Sequence, residues 1–331
     1  MRNLLAPVLL TLSLNSCTRP ADTVVVVYTA FDEVHARAVF DAFRAETGIA
    51  VSPVYDTEEA KTLGLVHRLL EESRRPQADV FWSGEAARTA LLADRGVLEP
   101  YRPATAGDIP ARWRDAGGRW TGFAARARVI VYNTASVGDP PRKLEDLANP
   151  RWRGRVAIAN PRFGTTAAHV LALVQARGEE RTLDFLASLA RNGARVAGGN
   201  SHVRDLVARG DCDVGLTDTD DVWIGRARGD PIDMIYPDQD GAGTLVIPNT
   251  VALVRGAPHP DPARRLIEFL LRPGTEALLA RGPSKQMPVR RDVRGPDGAP
   301  GLHEIKALDV DWSKLGGDDR FLEKAAARLH P

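Results

Sequence analysis

The sequence predicts an α/β fold of two lobes, each a mixed sheet flanked by helices. Short buried strands alternate with amphipathic helices from residue 24 onwards, which is typical of a largely parallel sheet covered on both faces. A second series of the same kind begins near residue 156. A chain of 331 residues is long enough for two such units.

The first series opens at residues 24–28, a β-branched run that predicts a buried parallel strand. Apolar residues recur at helical spacing in 34–43, and Gly48 ends that helix because glycine readily takes the left-handed C-cap conformation. The remaining elements are predicted as strands at 49–55 and 78–82 and helices at 63–72 and 86–93. Ligands of such sheets lie beyond the carboxyl ends of the strands, which places 29–32 and 83–85 at one rim.

The second series alternates in the same way, after which the chain returns to the first lobe. Its elements are predicted as strands at 129–132, 156–159 and 214–217 and helices at 165–176, 182–191 and 202–209. Two further strands at 245–247 and 251–254 and two helices at 263–271 and 275–281 follow. We therefore expect residues 23–125 and 251–331 to form lobe 1, with residues 126–250 inserted as lobe 2.

The N-terminus has the pattern of an export signal. Arg2 precedes an apolar run at 4–14, which is too short for a membrane helix. Its end, a leucine two residues before Ser16 and then Cys17, resembles the lipobox of bacterial lipoproteins. We expect residues 1–17 to be a lipoprotein signal peptide with its lipidated Cys17, and 18–22 a tether in the periplasm or on the outer face of the membrane. The alternative is an ordinary signal peptide cut near Cys17.

Composition narrows the classes of partner. The 44 basic and 43 acidic residues leave a net charge of +1, which gives no reason to expect nucleic acid as a partner. After residue 20 no stretch is long and apolar enough to span a bilayer, so membrane contact would come only through the lipid anchor. With Cys17 lipidated, Cys212 stands alone, in a segment at 211–216 that is predicted as a buried strand, and is interpreted as a structural thiol.

The common signatures of catalytic centres are missing from the sequence. Its seven histidines show no HExxH spacing, and there is no G-x-S-x-G elbow, P-loop or CxxC pair. Residues 238–243 include calcium-loop residue types but lack the closing glutamate, so they are interpreted as a turn. We therefore expect a protein that is not an enzyme.

Two polar segments carry the chemistry of binding. Gly164, Thr165 and Thr166 open a helix whose N–H groups and hydroxyls suit an anion, although capping by threonine is the commoner use. Residues 218–221 place three carboxylates directly after a buried strand. Clustered carboxylates suit a hard cation, and the alternative is an acidic helix N-terminus favoured by the helix dipole.

The order of several segments resembles a known family. They lie at 27–29, 41–49, 78–82, 126–133, 150–155, 200–201, 218–221, 239–245 and 288–290. In order and spacing they resemble the ferric-iron-type periplasmic binding proteins of ABC importers, in the type 2 periplasmic binding protein class. The resemblance covers essentially the whole chain after the signal. It implies a ligand cleft between two lobes, an ABC permease and its ATPase as partners, and a monomer.

The resemblance also implies roles for individual residues. The family holds iron with two adjacent tyrosines, a histidine and an acid, and seats a synergistic anion on a helix N-terminus. The tyrosines fall on Asp220 and Asp221, the histidine on Asp32, and the acid on Gly84 or Glu85. The anion site falls on Arg126, Gly164, Thr165, Asn200, Ser201 and Thr219.

One departure from the family changes the expected ligands. The five tyrosines of this chain include no adjacent pair, so iron cannot be held by phenolates as in the family. What remains is a cleft whose expected metal ligands are Asp32, Glu85, Asp220 and Asp221. Thr29 and Ser83 at the strand ends and Thr166 at the helix start complete the expected ligand contacts.

Two hypotheses about the cargo stay open. The first is a metal ion, Fe³⁺ or a divalent cation, held with a synergistic anion; beyond this cargo no firm cofactor is expected. The second is a small organic solute, phosphorylated or cationic, for which Tyr28, Trp82 and Trp223 would supply stacking walls. A remote third is a metal-dependent hydrolase, which would lack a placed general base or nucleophile.

Overall fold

The computed structural model describes residues 24–56, 63–316 and 319–329. The predicted signal peptide, the tether and Cys17 lie outside these residues. The helices are α1 Glu33–Thr47, α2 Leu63–Glu71, α3 Ala87–Asp94, α4 Gly164–Arg177, α5 Glu179–Arg191, α6 Asn200–Ala208, α7 Thr219–Ala227, α8 Pro260–Leu270, α9 Pro273–Arg281 and α10 Asp319–Leu329. The strands are β1 Val24–Thr29, β2 Ala50–Tyr55, β3 Val80–Ser83, β4 Leu98–Glu99, β5 Thr121–Asn133, β6 Val156–Ala159, β7 Arg195–Ala197, β8 Val214–Asp218, β9 Ile232–Ile235 and β10 Val246–Val254.

The strands form one continuous path in the order β2-β1-β3-β10-β5-β8-β6-β7, with β4 paired to β10 and β9 paired to β5. At one end β1 is parallel to β2 and β3, and at the other β6 is parallel to β7 and β8. The strands β6 and β8 are buried along their whole length, as expected for parallel strands covered on both faces. The predicted α/β class with mixed sheets is confirmed.

Strand β5 joins the two halves of the sheet. Its first part, 121–127, pairs with β10, and its second part, 128–133, pairs with β8 and β9. Because one strand serves both halves, side chains near its middle lie close to both sets of parallel strand ends. Arg126 and Arg128 occupy this middle position.

The sequence predicted two separate strands at 245–247 and 251–254. This prediction was wrong, because a single strand, β10, runs through both segments. Pro248 lies between the two predicted runs, and proline lacks the N–H that a strand interior needs. The register against β5 shifts between Pro248 and Asn249, so an irregularity accommodates the proline inside a continuous strand.

The C-terminal helix α10 contacts α4 and α5, which lie in the range expected to form lobe 2. Its Asp319 also pairs with Arg88 of α3, at 2.7 Å between Oδ1 and Nη2. The helix therefore touches elements from both predicted lobes, although the sequence assigned it to lobe 1. The exact lobe bounds stay a prediction.

Candidate functional site

A cavity of about 80 Å³ lies where the carboxyl ends of β1, β3, β6, β7 and β8 meet the segments that follow them. Five acidic side chains and one arginine are among the residues that line it, so its wall favours a cation over an anion. The lining residues are Ala30, Asp32, Gly84, Glu85, Arg126, Ala159, Asn160, Phe163, Gly164, Thr165, Thr166, Gly198, Gly199, Asn200, Ser201, Asp218, Asp220, Asp221 and Ile224.

Asp220 is held by a buried arginine from β5. Its Oδ2 lies 2.9 Å from Arg126 Nη1, and Gln286 Nε2 donates to the same oxygen at 3.3 Å. Arg126 crosses directly over Gly84, where a Cβ would lie 2.8 Å from Nη2, so a larger residue there would push the guanidinium away. Burial raises the pKa of Asp220, and Arg126 opposes this rise. The pair thus leaves one carboxylate of the cavity partly neutralised.

Asp221 has weaker partners. Thr217 Oγ1 donates to its Oδ2 at 3.0 Å. Arg204 Nη1 lies farther away, at 3.8 Å from Oδ1. Burial, with the charges of Asp220 and Asp218, raises the pKa of Asp221 to about 8. A proton therefore resides on this carboxyl group near neutral pH, where a metal ion could replace it.

Asp218 accepts hydrogen bonds from three side chains. Its Oδ1 accepts from Arg128 Nη1 at 2.7 Å, and its Oδ2 accepts from Thr165 Oγ1 at 2.5 Å and Asn200 Nδ2 at 3.0 Å. Arg128 also donates to Thr166 Oγ1 at 3.3 Å through Nη2. This buried network fixes the starts of α4 and α6 against the end of β8.

Three carboxylates meet closely enough to share an ion. One oxygen from each of Asp218, Asp220 and Asp221 can be chosen so that all three lie within 4.8 Å of one another. Asp32, at the start of α1, lines the same cavity from the other half of the sheet. Both oxygens of Asp218 and of Asp220 already have partners, and Asp220 Oδ1 accepts from the backbone N–H of Asp221 at 3.2 Å. Asp221, with one neutral donor on Oδ2 and Arg204 3.8 Å from Oδ1, holds the larger remaining capacity for a hard cation.

Ten of the thirteen sequence-predicted ligand contacts line the cavity, namely Asp32, Glu85, Arg126, Gly164, Thr165, Thr166, Asn200, Ser201, Asp220 and Asp221. Thr29, Ser83 and Thr219 are buried and are not among the described residues that line it. Each of these three hydroxyls instead accepts a hydrogen bond from a backbone N–H, of Phe31, Glu85 and Ala127 respectively.

Glu85 lines the cavity but is engaged in capping α3. Its carboxylate accepts from the backbone N–H of Ala87 at 2.7 Å and of Arg88 at 3.0 Å. Burial raises its pKa, and the nearby arginine and these N–H donors oppose the rise. Both of its oxygens are therefore already engaged by the start of α3.

The proposed stacking residues have other partners. Tyr28 is buried and donates its hydroxyl to Glu72 at 2.9 Å, and Trp82 stacks on Phe31 with ring centroids 4.9 Å apart. Trp223 lies against two cations, Lys285 Nζ and the Arg226 guanidinium, at 4.4 and 4.8 Å from its ring. Among the described residues, those that line the cavity include none of these three aromatics.

Sequence reasoning missed Arg128 as a residue of the site. Its signal was available, because residues two apart in a strand share a face and Arg126 was already assigned to the site. The chain also brings Gln286 to Asp220 from a segment after α9. That contact has no local signal, since it depends on how distant segments pack.

Other features lie apart from the carboxylates. A larger cavity of about 500 Å³ is lined mainly by residues 287–304 and includes no residue of the strand ends. Cys212 is buried and free, which agrees with a structural thiol. In the part of the chain that the structure describes, no helix has the length and apolar character needed to cross a membrane.

The fold and the site together define a two-lobed binding protein with its ligand cavity between parallel strand ends. Residues 75–315 match the family model described as bacterial extracellular solute-binding protein. The chain is also 31% identical over 304 residues to iron uptake protein A1 of Synechocystis, covering 87% of this chain and 81% of that protein. It therefore belongs to the family of bacterial extracellular solute-binding proteins, which are exported proteins that bind a substrate for transport.

Solved structures confirm the two-lobed fold. Iron-bound HitA from Pseudomonas aeruginosa aligns with a TM-score of 0.83 at 24% identity, over 92% of this chain and 99% of that one. The binding protein AfuA from Actinobacillus pleuropneumoniae, with fructose-6-phosphate bound, aligns with a TM-score of 0.82 at 21% identity, over 94% and 99%. The same fold therefore serves an iron cargo and a phosphorylated sugar.

Proposed function

We propose that this protein is the solute-binding component of an ABC importer and that it carries a hard metal cation, Fe³⁺ or a divalent ion. The supporting observation is the group of three carboxylates, Asp218, Asp220 and Asp221, which each offer one oxygen within 4.8 Å of the other two at the cavity. Oxygen ligands of this kind suit hard cations. The name of the Synechocystis relative, an iron uptake protein, points the same way.

The ligands that we propose are Asp220 and Asp221, with Asp32 closing the site from the other lobe. Burial, together with the charges of neighbouring carboxylates, raises the pKa values of Asp220 and Asp221. A bound cation would relieve this repulsion. By bridging Asp32 and the Asp220–Asp221 pair it would also favour the closed arrangement of the lobes.

An organic solute is the competing cargo, because AfuA was solved with a phosphorylated sugar. Two observations disfavour it here. The cavity of about 80 Å³ is well below the roughly 300–1,000 Å³ of most small-molecule sites. The hydroxyl of Thr165 and the amide of Asn200, which a phosphate would need, already bind Asp218.

The wider setting follows from this function. We propose that an ABC permease with its ATPase receives the loaded, closed protein. A lipid on Cys17 would hold the protein at the outer face of the membrane. The protein would act as a monomer, in which residues 23–125 and 251–331 form one lobe and residues 126–250 form the other. Labelling of cells with a palmitate analogue, with Cys17→Ser as the control, tests the anchor.

Thermal unfolding in the presence of metals tests the cargo. A ligand that binds the folded state at a hundredfold excess over Kd stabilises it by about 2.7 kcal/mol, so we expect Tm to rise by about 5 °C with Fe³⁺ or one of Mn²⁺, Ca²⁺ and Mg²⁺. EDTA should abolish the rise. The double variant Asp220→Asn with Asp221→Asn should lose it, while Asp184→Asn on the exposed face of α5 should keep it.

The proposal fails if no metal changes Tm and EDTA has no effect on the purified protein. It also fails if the double variant responds to metal as strongly as Asp184→Asn does. A rise in Tm with phosphorylated or amine solutes alone would favour the organic cargo instead.

A further inference from the structure

The carboxylate of Asp218 lies where a bound anion would be expected. The resemblance to ferric-type proteins assigned Thr165 and Asn200 to a synergistic anion. In the structure both side chains donate to Asp218 Oδ2, at 2.5 and 3.0 Å, and Arg128 Nη1 donates to Oδ1 at 2.7 Å. An internal carboxylate thus receives the hydrogen bonds that an external anion would receive.

Asp218 is turned away from its own helix to do this. It stands at the N-cap of α7, where an aspartate ordinarily accepts from the backbone N–H groups of the first turn. It makes no such side-chain capping bond. Its side chain reaches instead to Arg128 on β5, to Thr165 at the start of α4 and to Asn200 at the start of α6.

The side chains of Thr165 and Asn200 have no donor left for a second anion. The single hydroxyl proton of Thr165 is used on Asp218, and the two amide protons of Asn200 are used on Asp218 and on Thr165 Oγ1. Arg128 is fully buried and Asp218 is 2% exposed. An external anion would therefore have to displace a buried carboxylate from a buried guanidinium, which is costly.

We propose that Asp218 is a built-in counterpart of the synergistic anion, so that the protein binds its metal without any separate anion. This inference rests on the proposed metal-binding function. Arg128 neutralises Asp218, and the metal then takes its charge compensation from Asp220 and Asp221. The same arrangement selects against cargoes whose recognition needs a phosphate or carboxylate at the start of α4.

Iron retention by the wild-type protein tests this directly. Protein loaded with Fe³⁺ from ferric nitrilotriacetate is passed through gel filtration into argon-sparged chloride buffer, alone or with bicarbonate or phosphate. Iron per protein and co-eluting nitrilotriacetate are then measured. We expect the same iron content, within twofold, in all three buffers and no retained nitrilotriacetate.

Two results would overturn the inference in different ways. Iron kept only with bicarbonate, phosphate or retained nitrilotriacetate would show that an external anion is required, with the metal-binding function intact. Iron kept in none of the buffers would remove the metal-binding function itself, and the inference with it.

Asp218→Ala extends the test by opening the space that the carboxylate fills. We expect the variant to lose at least tenfold of its iron in chloride buffer and to regain it in acetate, which restores a carboxylate beside Arg128. Asp213→Ala is the matched control, since Asp213 also pairs with an arginine, Arg155, but does not line the cavity. Loss of iron in Asp218→Ala with no recovery in acetate would count against a built-in anion, provided circular dichroism shows a folded variant. If the variant is unfolded, the wild-type result decides.

Discussion

Asp220 and Asp221 are adjacent in the chain but differ in their surroundings. Asp220 lies 2.9 Å from Arg126, while Asp221 lies 3.8 Å from Arg204. Adjacent carboxyl groups can both face a cavity here because they lie in the first turn of α7, where the helix starts directly from β8. The difference in partners makes Asp221 the group whose protonation responds most to an incoming cation.

The contribution of Asp221 to the stability of the metal-free protein should fall as pH rises from about 4 to about 8. Asp221 ionises near 3.8 when unfolded and near 8 when folded, so in this range the folded state binds more protons than the unfolded state. The slope from this one group is at most about 1.4 kcal/mol per pH unit. Asp221→Asn should flatten the dependence, measured by urea unfolding from pH 5 to 8. An equally steep slope in the variant would contradict the assignment.

For individual residues, the sequence predicted which residues belong to the site better than it predicted which side chains pair with one another. The Asp-rich segment and the Gly164–Thr166 helix start could both be identified, since each follows a buried strand. The pairing of Arg128 with Asp218 could not be predicted, because Arg126 or Arg128 could have paired with Asp218 or with Asp220. The choice depends on the register of β5 against β8, where Arg128 is directly opposite Asp218.

At the scale of helices and strands, the segment that follows α9 supports the site through its contacts with other elements. Glu276 of α9 is fully buried, and its Oε1 accepts from the backbone N–H of Ala124 and of Val289, each at 2.9 Å. Its Oε2 pairs with Arg290 Nη1 at 2.9 Å. This ties β5 to the stretch that carries Gln286, the residue that contacts Asp220.

Glu276→Ala should lower the free energy of unfolding by about 3–5 kcal/mol, because it leaves Arg290 buried without its inner partner. Glu33→Ala is the matched control, since it removes an exposed pair with Arg37 and should cost much less than the buried pair. Urea unfolding of both variants measures the difference. Equal costs for the two would show that the buried pair does not hold this segment.

Most helices and strands could be predicted, since hydrophobic periodicity determines them locally, as the exact match of β6 to 156–159 illustrates. The short strands β4, β7 and β9 were missed because two to four residues carry too little pattern. Helix α10 was missed as well, although its apolar residues recur at helical spacing. The continuous β10 was missed because residues 248–250, between its two apolar runs, interrupt the hydrophobic pattern.

For the molecule as a whole, β5 runs through both halves of the sheet, and α10 contacts elements of both predicted lobes. The carboxylates come from both sides, with Asp32 after β1, Asp218 at the end of β8, and Asp220 and Asp221 just after it. Burial of one cation between them would couple cargo binding to the arrangement of the lobes. The family relationship and the carboxylate cavity therefore support one account of cargo capture.

The most direct test of that account is a crystal structure of the protein loaded with Fe³⁺, with diffraction data collected at the iron absorption edge. We expect an anomalous peak in the cavity within direct ligand distance of Asp220 and Asp221, with Arg128 still paired to Asp218. An anomalous peak elsewhere on the molecule, or a cavity filled by an organic molecule with no anomalous signal, would contradict the account.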